Sequence, residues 1–234
     1  MTRRRWIADE VSGNQASLHG ENARHLARVL RARVGQQFEI STPQGIRLGT
    51  VTQVEADRVN FSLEELPQAE KASQRREVNL YLAIFKFDRF EWAIEKCTEL
   101  GVTSVIPVLA QRTDSHLAGA ASKRVERWRK IAHEAAQQSR RDIVPEIMNP
   151  KKLHAAVLEA AGKKIVLAET ERRRQFVDLV QAESSVSLAV GPEGGWTDSE
   201  LTLFANSGWL AASLGPNILR AETAAIVATA LALQ

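Results

Sequence analysis

Residues 187–225 read SLAVGPEGGWTDSELTLFANSGWLAASLGPNILRAETAA, and the punctuation of that stretch decides the fold. An apolar strand runs into Gly191-Pro-Glu-Gly-Gly, a helical segment follows, a second apolar strand runs into Leu214-Gly215-Pro216-Asn217, and a long helix closes the chain. Five of the thirteen glycines fall between Gly191 and Gly215. Glycines at the carboxyl ends of strands let backbone approach a ligand closely, and the ligand crevice of open α/β sheets lies at those ends. Two such loops, one unit apart, can face one pocket.

Working back from this stretch, the same alternation of strand and helix begins at Val78. Val78–Phe85, Ser104–Leu109 and Lys164–Ala168 are apolar strands; Phe90–Leu100, Ser122–Ser139 and Leu153–Ala161 are helices between them. This order predicts a mostly parallel sheet with helices on both faces. The last helix, Ile218–Leu233, is apolar almost all round, so it must be covered on more than one side, by its own domain or by a second subunit. The first seventy residues differ. One helical run, Glu21–Arg31, sets Ala23, Leu26, Ala27 and Leu30 on one face, and Gln37–Ile40, Gly45–Val54 and Arg58–Leu63 alternate as strands of a small barrel. The polar, aperiodic stretch Glu64–Glu77 reads as a connection. The resulting map is a barrel over residues 1–70, a linker over 71–77 and an α/β domain over 78–234.

Composition narrows the function. No apolar run approaches the ~18 to 20 residues that span a bilayer, and the basic start Met1-Thr-Arg-Arg-Arg-Trp has no apolar core behind it, unlike a secretory signal. The default expectation is a cytoplasmic location. The five histidines and the single Cys97 show no metal-ligand spacing, so no metal is expected, and Cys97 reads as a packed thiol. Net charge is only +3, but residues 1–35 hold seven arginines against three acids, and residues 112–141 hold eight Lys and Arg against three acids. Clustered guanidinium groups suit a phosphate backbone; solvated helix faces would account for the charge equally well. The first strand of the α/β domain runs into Phe85-Lys86-Phe87-Asp88-Arg89-Phe90, with no glycine, and Gly191-Pro-Glu-Gly-Gly lacks the lysine of a phosphate loop. Both facts argue against a polyphosphate ligand. Backbone groups between apolar walls suit a flat heterocycle such as adenine.

Gly191-Pro-Glu-Gly-Gly, followed by Leu214-Gly-x-x-Ile-Leu-Arg-Ala-Glu-Thr-Ala, resembles the signature of the SPOUT-class RNA methyltransferases. More narrowly, it is similar to the bacterial family that methylates uracil N3 in 16S ribosomal RNA. Agreement extends to His25-Leu-Ala-Arg-Val-Leu-Arg with Val34-Gly35, to Glu95-Lys-Cys-Thr-Glu-Leu-Gly-Val, to Gln111-Arg112 and to Glu134-Ala-Ala-Gln-Gln-Ser-x-Arg141. The resemblance implies a PUA-like N-terminal barrel, a trefoil-knotted α/β domain, S-adenosylmethionine as methyl donor and a homodimer acting on 16S ribosomal RNA, within the small ribosomal subunit.

Carried onto this chain, cofactor contacts are expected from Leu167, Glu169, Val190, Gly191, Gly194, Gly195, Ser213, Leu214, Gly215, Ile218, Leu219 and Arg220. Leu167 and Val190 would equally serve as strand core. Methylating uracil N3 requires the imide proton to leave and the ring to carry negative charge. Arg220, at the start of the last helix, is the first candidate to stabilise that charge, with an ion pair to Glu222 as its structural alternative. Glu193 and Glu222 are the candidate proton acceptors. RNA contacts are expected from Arg3, Arg4, Arg5, Arg24, Arg28, Arg31 and Arg33 on the barrel, and from Lys86, Arg89, Arg112, Arg140 and Arg141 beside the α/β domain. Trp6, Phe87 and Phe90 are the available stacking partners, with Phe90 and Trp92 read as core. Two rivals stand beside this reading: a non-catalytic RNA-binding ribosome-assembly factor, which leaves the two glycine loops without a task, and an α/β enzyme of a small molecule, which leaves both basic clusters idle.

Overall fold

The computed structural model describes residues 6–43, 45–65, 76–181 and 183–234. The chain forms two compact units, Met1–Ser73 with Ala136–Ile143, and Gln74–Ala135 with Val144–Gln234. Arg3, Arg4, Arg5 and residues 71–75 of the expected linker lie outside the described residues.

The N-terminal unit is built on β1 (Trp6–Ile7), β2 (Glu10–Ser12), β3 (Gln15–His19), β4 (Gln37–Thr42), β5 (Gly45–Val54) and β6 (Arg58–Glu65), in the order β1-β4-β5-β6-β3-β2. All neighbours run antiparallel except β1 and β4. The two edges, β1 and β2, are successive pieces of one segment. Ala8 N donates to Ser41 O on one side and Asp9 N to Ser17 O on the other, both at 3.0 Å, so the sheet curls back onto itself. Trp6, Leu18, Leu26, Ile40, Phe61 and Leu63 fill its interior. The segment Ala136–Ile143 belongs to this unit, tied by a hydrogen bond from Ser41 Oγ to Asp142 O and by the Arg140–Glu39 pair at 3.7 Å.

The helical run in this unit departs from expectation. It is regular only as α1 (Gly20–Arg24); His25–Val29 is wound as a π-helix, with Leu30 N donating to His25 O at 3.1 Å. The wider winding shifts the phase of the apolar face. Ala23 and Leu26 remain buried, whereas Leu30, expected on the same face, is exposed.

In the second unit the chain runs through β7 (Glu77–Ala83), α2 (Phe87–Leu100), β8 (Ser104–Leu109), α3 (Ser115–Ala120), α4 (Val125–Gln138), β9 (Glu146–Ile147), β10 (Lys151–Lys152), α5 (Leu153–Glu159), β11 (Lys163–Leu167), α6 (Phe176–Leu179), β12 (Ser185–Val190), α7 (Asp198–Asn206), β13 (Leu210–Ala212) and α8 (Ala221–Ala232). The strands form one sheet in the order β10-β8-β7-β12-β11-β13, with β9 also on β8, and every pairing is parallel. A parallel strand is buried on both faces, which is why these segments read as unbroken apolar runs. Along β7, Val78, Leu80 and Leu82 enter one core with Phe90, Ile94, Trp128, Ala225 and Ala228, while Tyr81 and Ala83 enter the other with Val157, Phe204 and Trp209. Trp92, read as core, is 46% exposed; it lies on the outer side of α2, whose buried positions are Phe90, Ala93, Ile94, Cys97 and Thr98.

The apolar last helix starts at Ala221, three residues later than its pattern suggests. Ala221, Glu222, Ala225, Ala228, Thr229 and Ala232 are buried, packed on α2, α6, β7 and β12. Its Thr229 Oγ1 donates to Cys97 Sγ at 3.4 Å. Burial pushes the Cys97 thiol up to about 12, which removes its thiolate at neutral pH. Native protein at pH 8.5 is therefore expected to resist iodoacetamide, with alkylation of Cys97 read by mass spectrometry only after denaturation.

Candidate functional site

Three neighbouring strands, in the order β12-β11-β13, end at Val190, Leu167 and Ala212. The loops that follow them enclose a cavity of about 520 Å³. Each of the twelve residues named as a cofactor contact lines it. Sequence spacing had joined the loops after β12 and β13; the sheet order inserts the loop after β11 between them, adding Thr170 and Arg172 to the wall.

The loop after β12 is held by side chains rather than by its own ladder. Gly195 N donates to Pro192 O at 2.8 Å, closing a turn that puts Gly195 at φ +67°, where a side chain would be strained. Trp196 folds back beneath Gly191, and its Nε1 donates to Leu167 O at 3.1 Å. A Cβ on Gly191 would come within 3.2 Å of that indole. From the end of β8, Arg112 Nη1 donates to Gly194 O at 2.5 Å and to Trp196 O at 3.3 Å. Beside it, Glu200 is only 3% exposed. Its Oε1 accepts from Gln111 N at 2.7 Å and its Oε2 from Thr197 N at 2.8 Å, while Thr197 Oγ1 accepts from Glu200 N, so one carboxylate both caps α7 and ties the loop to β8.

The loop after β13 is self-braced. Ser213 Oγ donates to Gly215 O at 2.9 Å and accepts from Gly215 N at 3.2 Å, and Gly215 takes φ +131°. Ile218 is left 70% exposed at the cavity wall. A helix starting at Ile218 would remove this loop; instead Arg220 is the N-cap of α8, with extended backbone and its carbonyl accepting from Ala224 N at 2.8 Å.

Four arginines line the cavity, and they divide into two kinds. Arg112 is engaged by the loop carbonyls, and Arg89 by carboxylates: Nη1 lies 3.0 Å from Glu193 Oε1 and Nε 3.8 Å from Glu222 Oε1. The Arg220–Glu222 pair, the structural alternative for Arg220, is not formed; Glu222 meets Arg89 instead. Glu222 is 4% exposed, its Oε2 has no hydrogen-bond partner among the described residues, and it lies behind the cavity wall, where Glu193 is exposed to the cavity. The first turn of α8 offsets part of the cost of that buried charge through the helix dipole. Arg172 and Arg220, by contrast, are exposed and engage no acceptor among the described residues.

The other expected RNA contacts fall elsewhere. Lys86 is exposed at the N-terminus of α2. In the N-terminal unit, Arg24, Arg28, Arg31 and Arg33 are all exposed, interleaved with exposed Val29, Leu30 and Val34; Arg140 is exposed and Arg141 half-buried. Trp6 and Phe90 are fully buried and so unavailable for stacking. No group of His, Cys, Asp and Glu among the described residues is placed to hold a metal, and no helix there is long and apolar enough to cross a membrane.

Residues 72–233 match the family model of the RNA methyltransferase domain, and residues 18–64 that of the RNA methyltransferase PUA domain. Over 93% of its length the chain is 34% identical to the ribosomal RNA small subunit methyltransferase E of Mycobacterium bovis, covering 85% of that protein. It belongs to this methyltransferase family. The Bacillus subtilis member is 33% identical, with 91% of this chain and 87% of that protein aligned. The Neisseria gonorrhoeae member, solved bound to S-adenosylmethionine, superposes with a TM-score of 0.85 at 28% identity, over 97% of this chain and 95% of that one. A Legionella pneumophila methyltransferase, solved in complex with the same cofactor, gives 0.82 at 30% identity, over 97% and 94%.

The bracing of the glycine loop is open to direct measurement. Glu200→Ala would leave the Gln111 and Thr197 amides without an acceptor in a water-poor site. It is expected to lower unfolding stability in urea by about 3 kcal/mol, with Gln at this position recovering part of the loss.

Proposed function

We propose that this protein transfers a methyl group from S-adenosylmethionine to N3 of a uridine in 16S ribosomal RNA. The observation that carries the reading is the cavity itself, in which two glycine-bearing loops from the strands on either side of β11 face one another with the exposed, uncommitted Arg220 at their edge. The donor fits its lining. A volume of about 520 Å³ lies within the range of small-ligand sites. Leu167, Val190, Leu214 and Leu219 offer apolar walls to the adenine, the loops offer backbone polar groups, and Glu169 offers a carboxylate to a cationic ligand. Gly194 keeps the wall open, since a Cβ there would stand 3.3 Å from the Arg112 Cδ.

When bound, S-adenosylmethionine supplies an electrophilic methyl carbon on a sulfonium centre. The residues of the chain have two tasks around it. Loss of the uracil imide proton leaves negative charge on N3 and on the two ring carbonyl oxygens. Arg220, free of carboxylate partners among the described residues and set at the positive end of the α8 dipole, stabilises that charge. Of the two candidate proton acceptors, Glu193 borders the cavity and takes the role with Arg89 on its Oε1 at 3.0 Å, while Glu222 meets Arg89 from behind. The homodimer, the trefoil threading of the C-terminal segment and a cytoplasmic location, where ribosomes are assembled, form part of the same reading. The half-buried apolar positions Val227 and Ala230 along α8 support a second subunit against that helix.

The test is incubation with labelled methyl donor and small ribosomal subunits that lack the modification, followed by mapping of the modified base. Label on uridine N3 is the expected result. Binding of the donor by calorimetry without any transfer would leave the chemistry unassigned to this site and reject the reading. Within it, Arg220→Ala is expected to lower kcat by about 10²-fold or more, a larger change than in donor Kd, with partial recovery by Arg220→Lys; an unchanged kcat removes Arg220 from the mechanism.

A further inference from the structure

Immediately after Glu169 the chain runs Thr170-Glu171-Arg172-Arg173-Arg174, ending in three successive arginines. All three are exposed, and none of their guanidinium groups makes an ion pair or hydrogen bond among the described residues. The adjacent acid is already occupied. Glu171 Oε1 accepts from Arg173 N at 2.7 Å and from Arg174 N at 3.2 Å, and these amides, with a smaller contribution from the Arg174 charge, hold its carboxyl below the usual carboxylate range. The backbone carrying the run is fixed as well: Ser213 N donates to Arg174 O at 2.9 Å, Phe176 N to Ser213 O at 2.8 Å, and Gln175 bridges Ser213 in parallel register. The loop after β11 is therefore stitched to the loop after β13, and it carries three exposed guanidinium groups without an ion pair among the described residues, with Arg172 in the cavity wall. A rigid backbone lowers the ordering cost of binding, and free guanidinium forks are matched to phosphate oxygens.

We propose that Arg172, Arg173 and Arg174 form a phosphate-binding loop that grips the RNA backbone beside the target nucleotide. This rests on the reading that the substrate is RNA, and it divides the arginines of the cavity by task. Arg89 and Arg112, held by the protein's own acceptors, shape the site; Arg172 and its two neighbours take the strand.

The experiment compares the parent protein with Arg172→Ala/Arg173→Ala/Arg174→Ala and with the corresponding triple lysine variant. Binding to a small-subunit ribosomal RNA transcript is followed by fluorescence anisotropy across a salt series, and S-adenosylmethionine binding by calorimetry. The alanine variant is expected to weaken RNA binding by about tenfold and to flatten the slope of log K against log salt by about 2, as loss of three single-strand phosphate contacts requires. The lysine variant retains most of that slope, and an Arg173→Ala/Arg174→Ala variant, which leaves Arg172 in the cavity wall, loses RNA affinity with donor Kd at the parent value. RNA binding and salt slope unchanged in the alanine variant would overturn the proposal. So would a weakened donor Kd with RNA binding intact, which would assign Arg172 to the carboxylate of the donor. A parent that neither binds nor methylates the RNA sinks the functional reading and this loop together; an active parent matched in RNA binding by the alanine variant sinks the loop alone.

Discussion

A loop that offers its backbone to a ligand cannot also spend that backbone on holding itself together. This constraint shapes the loop after β12. Its amides and carbonyls are kept clear of any ladder, so neighbouring side chains have to fix it: the Glu200 carboxylate bridging Gln111 N and Thr197 N, the Arg112 guanidinium on two carbonyls, and the Trp196 indole on Leu167 O. A buried carboxylate is costly unless it is hydrogen-bonded, and both oxygens of Glu200 accept from groups drawn from two segments far apart in sequence. The glycines then have two separate uses. Gly191 leaves room for the indole, and Gly195 turns the chain.

The same economy sorts the charges. Arginine clusters look alike along a sequence, and nothing in a string of letters tells a guanidinium that braces a loop from one that waits for a phosphate. The fold makes the distinction by supplying acceptors. Arg112 and Arg89 are spent on carbonyls and carboxylates, whereas Arg172, Arg173, Arg174 and Arg220 are left with open forks. In the N-terminal unit, Arg24, Arg28, Arg31 and Arg33 are exposed in the same way, and the π-wound segment that carries exposed Val29 and leads into exposed Leu30 departs from regular helical phase there. Features that cost local regularity are found where surface chemistry, not packing, sets the requirement.

Much of this was legible in the letters because it is local. Apolar runs bounded by glycine specify strands of a parallel sheet, the run Phe90–Leu100 ended by Gly101 specifies the helix α2, and Gly-Pro-Glu-Gly-Gly marks a strand end made for close approach. The departures also have local causes. A five-residue hydrogen-bonding turn changed the phase of an otherwise good helical pattern and exposed Leu30. An apolar residue that suits a helix, Ile218, was claimed instead by a loop.

What the sequence determined by itself was the class of the sheet, its covered faces and the two loops that line a pocket, since periodicity and glycine placement are properties of near neighbours in the chain. What only the tertiary structure decided was which residues those loops would meet: that β11 lies between β12 and β13 and brings Arg172 to the cavity, that Glu222 faces Arg89 rather than Arg220, and that Glu200 fastens the end of β8 to the start of α7. The reason is physical. Strand order and the pairing of a carboxylate with one arginine among many are settled by packing and electrostatics summed over the whole unit, and no local pattern encodes that sum.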